Sequence, residues 1–265
     1  MRQSMILKRI VITILLLFLP LLFVMPSGYA ESKTLTKETK LHPQGWTVGD
    51  QLKFKKDTVV TTNELGEVIS GILADNTFLR PIGWQQVLND YYYASTYAGV
   101  DPFSNHYQHV FIGKAYNTAA PSHGHLLYKG GTQVTFNEYG EVVAGTIAED
   151  ATIQLVKDKY GLLNFKEDNG LAFYESGVVH YGVLDEDTNL RPIGWINNII
   201  AEDSAGFVKF SAKKKIEFNE YGEVISGTLK EPLKWHSPDG LVVEFTANTV
   251  VNFDEQGAVS EKSAD

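Results

Sequence analysis

The chain has 265 residues, with 23 basic against 32 acidic side chains for a formal charge of −9, 43% hydrophobic residues and no cysteine. An acidic surface repels phosphate backbones and anionic lipids, which argues against nucleic acid and charged membrane surfaces as partners. Without cysteine there is neither a disulfide framework nor a thiol nucleophile, so stability rests on packing.

Arg2, Lys8 and Arg9 open the chain, an apolar run over 10–25 is broken only by Thr13 and Pro20, and Gly28-Tyr29-Ala30 puts small residues where a signal peptidase reads. Residues 1–30 are expected to be a secretory signal cleaved after Ala30. The product would be secreted, periplasmic or held at the cell envelope of a bacterium. The apolar run is slightly long for a signal but falls short of the ~20 residues of a spanning helix, so an uncleaved membrane anchor is the lesser reading and no membrane span is expected after cleavage. The leader carries three of the 23 basic residues and none of the 32 acidic ones, which leaves 20 against 32, a charge of −12.

Segment 31–90 brings in two motifs that then recur. Leu41-His42-Pro43-Gln44-Gly45-Trp46 returns as Leu79-Arg80-Pro81-Ile82-Gly83-Trp84 and as Leu190-Arg191-Pro192-Ile193-Gly194-Trp195, with Thr39, Thr77 and Thr188 two residues ahead of each. The second motif is a turn, Thr62-Asn63-Glu64-Leu65-Gly66-Glu67, repeated as Phe136-Asn137-Glu138-Tyr139-Gly140-Glu141 and Phe218-Asn219-Glu220-Tyr221-Gly222-Glu223, with variants at Phe173 to Gly177 and Phe253 to Gly257. Asn or Asp at the first corner bonds the backbone two residues on, and Gly supplies the left-handed conformation of a type I turn with a bulge. Runs of period two flank each turn, so each repeat contains at least one hairpin.

The turn glycines are spaced by 74, 37, 45 and 35 residues, a period of about 37 with one slot skipped. The expected architecture is therefore all-β: tandem β-hairpin repeats forming an elongated meander or solenoid-like sheet, over 31–90 and again over 129–265.

The skipped slot falls on segment 91–128, an irregular stretch rich in aromatic residues and histidine. His106, His109, His123 and His125 are candidate ligands for a divalent metal. Tyr92 and Tyr107 are candidate ligand contacts, because an exposed ring offers an apolar face and a polar edge to a sugar or a peptide. Arg80 with Trp84 and Arg191 with Trp195 join that candidate set, since a guanidinium over an indole makes a cation–π contact. These two are also the only arginines after the leader. The repetition itself favours a structural role, Trp as core plug and Arg as clamp between repeats.

No Gly-x-Ser-x-Gly elbow, His-Glu-x-x-His helix, phosphate-binding glycine loop or cysteine nucleophile occurs, so no catalytic residue is assigned. Carboxylate pairs at Glu149 and Asp150 and at Asp185 and Asp187 occupy matching slots and read as turn residues. The turn glutamates, one per repeat, read as solvated turn tips rather than calcium ligands.

Phe173-Tyr174-Glu175-Ser176-Gly177-Val178-Val179-His180-Tyr181-Gly182 resembles a bacterial MORN repeat, with an aromatic and a turn glycine ahead of a second glycine five residues on. Gly66 to Gly71, Gly140 to Gly145 and Gly222 to Gly227 keep that step. The resemblance implies a stacked hairpin sheet used as a scaffold or interaction surface, with no catalytic residues to carry over. The expected function is an exported binding or scaffold module for a protein or polysaccharide at the cell surface. The alternative is a metal-binding protein or hydrolase with its site in 91–128.

Overall fold

The computed structural model describes residues 30–87, 124–156, 162–199 and 205–262. An incomplete unit comes first: β1 (Glu31–Thr34), β2 (Thr39–Leu41) and β3 (Leu52–Phe54). Four full units follow, each named here by its turn glycine. The Gly66 unit holds β4 (Val59–Thr62), β5 (Val68–Ile72), β6 (Thr77–Leu79) and β7 (Leu126–Tyr128). The Gly140 unit holds β8 (Gln133–Phe136), β9 (Val142–Thr146), β10 (Ala151–Gln154) and β11 (Leu162–Phe165). The Gly177 unit holds β12 (Gly170–Phe173), β13 (Val179–Val183), β14 (Thr188–Leu190) and β15 (Val208–Phe210). The Gly222 unit holds β16 (Lys215–Phe218), β17 (Val224–Thr228), β18 (Leu233–His236) and β19 (Val242–Phe245), and β20 (Val250–Phe253) with β21 (Val259–Glu261) closes the array as the Gly257 unit.

β1 and the first two strands of every later unit join one antiparallel sheet of eleven strands, ordered β1-β4-β5-β8-β9-β12-β13-β16-β17-β20-β21. It is a meander, open at β1 and β21. The other strands pair off as five short hairpins, β2 with β3 through β18 with β19. These hairpins form a second layer on one face of the long sheet. Alternation explains the division: Val134 and Phe136 of β8 and Ile216 and Phe218 of β16 are buried, while the residues between them are not.

The second glycine of each repeat is the seat of an aromatic plug from the layer above. A Cβ at Gly71 would come within 2.7 Å of the Phe54 ring, at Gly145 within 2.6 Å of Tyr128, at Gly182 within 2.5 Å of Phe165 and at Gly227 within 2.6 Å of Phe210. Each plug comes from the preceding unit, so the five-residue glycine step is a packing requirement between neighbours. The turns have the expected chemistry. The side-chain Oδ1 of Asn63, Asn137, Asn219 and Asp254 accepts the backbone N–H two residues on at 3.0 Å.

One expectation changes. No slot of the sheet is skipped, because β5 pairs directly with β8, Ser70 opposite Thr135. The extra residues instead lie between β6 and β7, and Leu126–Tyr128, the end of segment 91–128, is strand β7. Residue spacing counts chain, whereas the sheet counts strands, so a long connection mimics a missing hairpin. Trp235 lies thirteen residues after its turn glycine, where Leu79 and Leu190 stand in their units. It pairs with Val243 as Leu79 pairs with Leu126 and Leu190 with Val208.

Candidate functional site

The Leu-x-Pro-x-Gly-Trp motif binds together units that are not adjacent in sequence. Its proline makes a parallel bridge to the strand after the next turn: Pro43 with Val68, Pro81 with Val142, Pro192 with Val224. Its glycine, at φ of +73 to +79, then lies against the turn after that one, Gly45 on Gly140, Gly83 on Gly177 and Gly194 on Gly257. A left-handed glycine without a Cβ is required for backbone to meet backbone this closely. Each motif therefore couples three successive units. In the Gly140 unit, where the motif is degenerate, Val156 and Leu155 fill the same space against Gly222.

The tryptophans complete the brace. The Trp46 indole donates to the Gly140 carbonyl at 3.0 Å and meets the Phe136 ring edge-on. Trp195 donates to the Glu223 carboxylate at 3.1 Å. Trp84 and Trp195 each receive a left-handed glycine of the returning chain, Gly124 and Gly206.

Sequence pairs Arg80 with Trp84 and Arg191 with Trp195, and the structure brings each pair together: the guanidinium lies 4.9 Å from the Trp84 ring centre and 3.9 Å from that of Trp195. Arg191 also sits 4.5 Å over Phe207, and its buried Nε has no hydrogen-bond partner. Arg80 is exposed and Arg191 half-buried. The two pairs stand in separate units, and each indole is engaged in packing. Tyr92, Tyr107, His106, His109 and His123 lie outside the described residues. His125 is half-buried just before β7. Among the described residues no three His, Cys, Asp or Glu side chains come together as a metal site, and no helix is long and apolar enough to cross a membrane.

The carboxylate slots tie one unit to the next strand. Asp150 accepts the Glu167 backbone N–H at 2.8 Å and Asp187 that of Ala212 at 2.8 Å, the same bond that Asn76 makes with Gly130 in its unit. Those backbone bonds hold both aspartate carboxyls below their ordinary range, with Lys166 and Lys230 assisting against the cost of burial.

The face of the long sheet turned away from the short hairpins carries one row of side chains in register across all eleven strands. It runs Ser32, Thr61, Ser70, Thr135, Ala144, Ala172, Tyr181, Glu217, Ser226, Asn252 and Ser260, each directly opposite the next. The row is small or hydroxylic except at Tyr181, Glu217 and Asn252, and at the first two it meets an aromatic and charged cluster. The His180 ring lies 4.4 Å from Tyr174 and 5.4 Å from Tyr181. Lys215 sits 4.5 Å over the Tyr181 ring and pairs with Glu217 at 2.7 Å, and Lys262 reaches the same carboxylate at 4.0 Å. Burial works to raise the Glu217 carboxyl, but the Lys215 hydrogen bond and the charges of Lys215, Lys262 and His180 outweigh it and hold the group below its usual range. The Tyr174 phenol is pushed up by burial and by the charges of Glu220 and Glu217.

Sequence reasoning named His180 as an addition to the alternative site in 91–128 and did not bring this cluster together. The signal was present in the columns of the repeat, since His180 and Tyr181 follow Gly177 where the other units have Ile69 and Ser70, Val143 and Ala144, or Ile225 and Ser226. Compared with family models, with curated proteins and with solved structures, the chain has no match.

Proposed function

We propose that the chain is an exported β-repeat module that binds or scaffolds a partner at the bacterial cell envelope or outside the cell, and that the open face of the eleven-stranded sheet is its working surface. The single observation behind this reading is the in-register row from Ser32 to Ser260. One face of the sheet is committed to the core through its glycines and aromatic plugs, while the other keeps a row of mostly small and hydroxylic side chains broken at Tyr181 and Glu217. A repeated surface of this kind suits an extended partner that runs across several units. The leader supports export, and the resemblance to MORN repeats supports a scaffold in place of a catalyst.

Arg80, Trp84, Arg191 and Trp195 are read here as the clamps that hold this surface in shape. The test has two parts. Intact-mass measurement of the protein recovered from the producing cell should give a chain beginning at Glu31. Pelleting with isolated bacterial cell walls should bring the protein down; a protein that keeps its leader and stays in the supernatant would overturn the reading.

A further inference from the structure

The Gly177 unit breaks the repeat at several positions that touch one another. Tyr174 stands where the other turns have Asn63, Asn137, Asn219 and Asp254, and Val178 where three of them have Glu67, Glu141 and Glu223. Those three Asn and Glu side chains bond each other, and in this unit the pair is replaced as a pair. The turn does not need it, because Tyr174 N–H to the Val178 carbonyl and Gly177 N–H to the Tyr174 carbonyl are both kept at 2.9 Å. Gly170 stands where the other first strands have Val59, Gln133, Lys215 and Val250. A Cβ on Gly170 would lie 3.5 Å from Cε2 of Tyr181, so the ring reaches sideways across β12 into the space this glycine leaves. None of these departures is demanded by a backbone that the neighbouring units build without them, so their joint occurrence calls for a ligand.

We propose that Tyr174, His180, Tyr181, Lys215 and Glu217 form a binding site for a neutral glycan on the open face. This inference rests on the reading of that face as the working surface. The half-buried Tyr181 ring, with the exposed Lys215 side chain 4.5 Å over it, is the ring on which a pyranose would stack in place of the Lys215 ammonium, and Tyr174 is fixed by its hydroxyl donating to the Phe218 carbonyl at 2.8 Å. Rings already held in place reduce the ordering cost of binding. Asn252 continues the row beyond Glu217 and adds an amide group that sugar hydroxyls can meet, while Ser226 between them is buried.

Charge decides against ionic partners. Glu217 is compensated by Lys215 and Lys262, which leaves no free anion for a polycation, and the whole chain at −9 repels a polyanion. Position decides against an extended peptide. Strand addition needs a free sheet edge, and β13 is paired on both sides, to β12 and to β16.

The test presents the full chain to an array of neutral and anionic oligosaccharides, followed by calorimetric titration of the strongest neutral one. Retention should be confined to neutral glycans, and Tyr181→Ala should weaken it about tenfold or more. Gly170→Val copies the residue of the Gly66 and Gly257 units, so it folds, and it should weaken binding by crowding the ring. Tyr139→Ala, at an exposed turn tip, should bind as the parent does. No neutral glycan retained, equal retention of anionic ones, or parental binding by both Tyr181→Ala and Gly170→Val would overturn the proposal. Wall pelleting that persists without glycan retention would sink this inference alone, whereas loss of pelleting would sink the wider reading.

Discussion

The indole of Trp46 donates to the carbonyl of Gly140 across 3.0 Å and 94 residues of chain, and the turn it caps belongs not to the next unit but to the one after. Nearest-neighbour stacking alone would let one unit rotate on the next. A brace that passes over one unit to reach a second resists that, because bending at either junction breaks it. The long sheet thus gets its stiffness from the short-hairpin layer.

Gly140→Ala tests the brace. The position has φ +79, and an added Cβ would come within 2.4 Å of the Trp46 ring. Backbone strain and overlap add, and the expected loss is about 2–4 kcal/mol in urea unfolding. Gly66→Ala is the control, since its φ is +78 but nothing lies within 4 Å of the added atom. It should lose only the conformational part, about 1 kcal/mol. Equal losses at the two sites would mean that the Trp46 contact carries no energy.

Tyr128 holds the plug position that Phe54, Phe165 and Phe210 hold in other units, and its fully buried hydroxyl has no hydrogen-bond partner. Tyr128→Phe should therefore leave stability unchanged or raise it by about 1–2 kcal/mol at neutral pH. The pH dependence gives an independent check. Burial pushes the phenol well above its ordinary value. Below the unfolded tyrosine value, about 10, its contribution is fully present; above it the unfolded state releases the proton and the folded state does not, so stability falls as pH rises. Denaturation midpoints of parent and Tyr128→Phe between pH 8 and 11 should diverge, with the variant falling less. Parallel curves would rule out the buried phenol as the cause.

Asp150 and Asp187 distinguish a structural carboxylate from a catalytic one. Asn76 makes the same bond to a backbone N–H, so Asp150→Asn should fold with at most a fraction of a kcal/mol lost, while Asp150→Ala loses about 1 kcal/mol. Because the folded carboxyl is depressed, its contribution is present above the ordinary aspartate value near 3.9 and disappears as pH falls through the folded value. The Asn variant should lack this part of the acid transition, which is visible as a shallower decline of the midpoint below about pH 4.

These residues also show how far the sequence can be read. The turns and the second glycines were legible because each recurs at a fixed step, although only the left-handed corner at Gly66 is a local requirement and the absent side chain at Gly71 answers to Phe54 of the preceding unit. The brace was not, since nothing local ties Trp46 to Gly140. The cluster around Tyr181 was hidden for a different reason. Its members come from the turn between β12 and β13, from β13 and β16 and from the chain just past β21, and only cross-strand pairing places Tyr181 beside Glu217. Arg191 and Trp195 were recognised as partners because four residues separate them in a motif that repeats.

The connection between β6 and β7 supplies the last prediction. Its two ends meet the same support as the short connection of the Gly177 unit: Gly124 lies on Trp84 as Gly206 lies on Trp195, with a Cβ on either glycine reaching within 2.7 Å and 2.6 Å of the tryptophan carbonyl. A chain that leaves and returns at one place can be shortened without disturbing the sheet, because β5 and β8 pair whatever lies between them. Replacing 88–123 with 199–205 should therefore keep the far-ultraviolet spectrum of the sheet and shift the midpoint of thermal unfolding by only a few degrees, about 1 kcal/mol or less. The shortened chain also lacks His106, His109 and His123, so metal analysis of parent and shortened chain decides the alternative reading. Metal at one equivalent in the parent and none in the shortened chain would move the functional centre into the connection. A shortened chain that still pellets with cell walls would keep it on the open face, and one that fails to fold would show that the connection is part of the core.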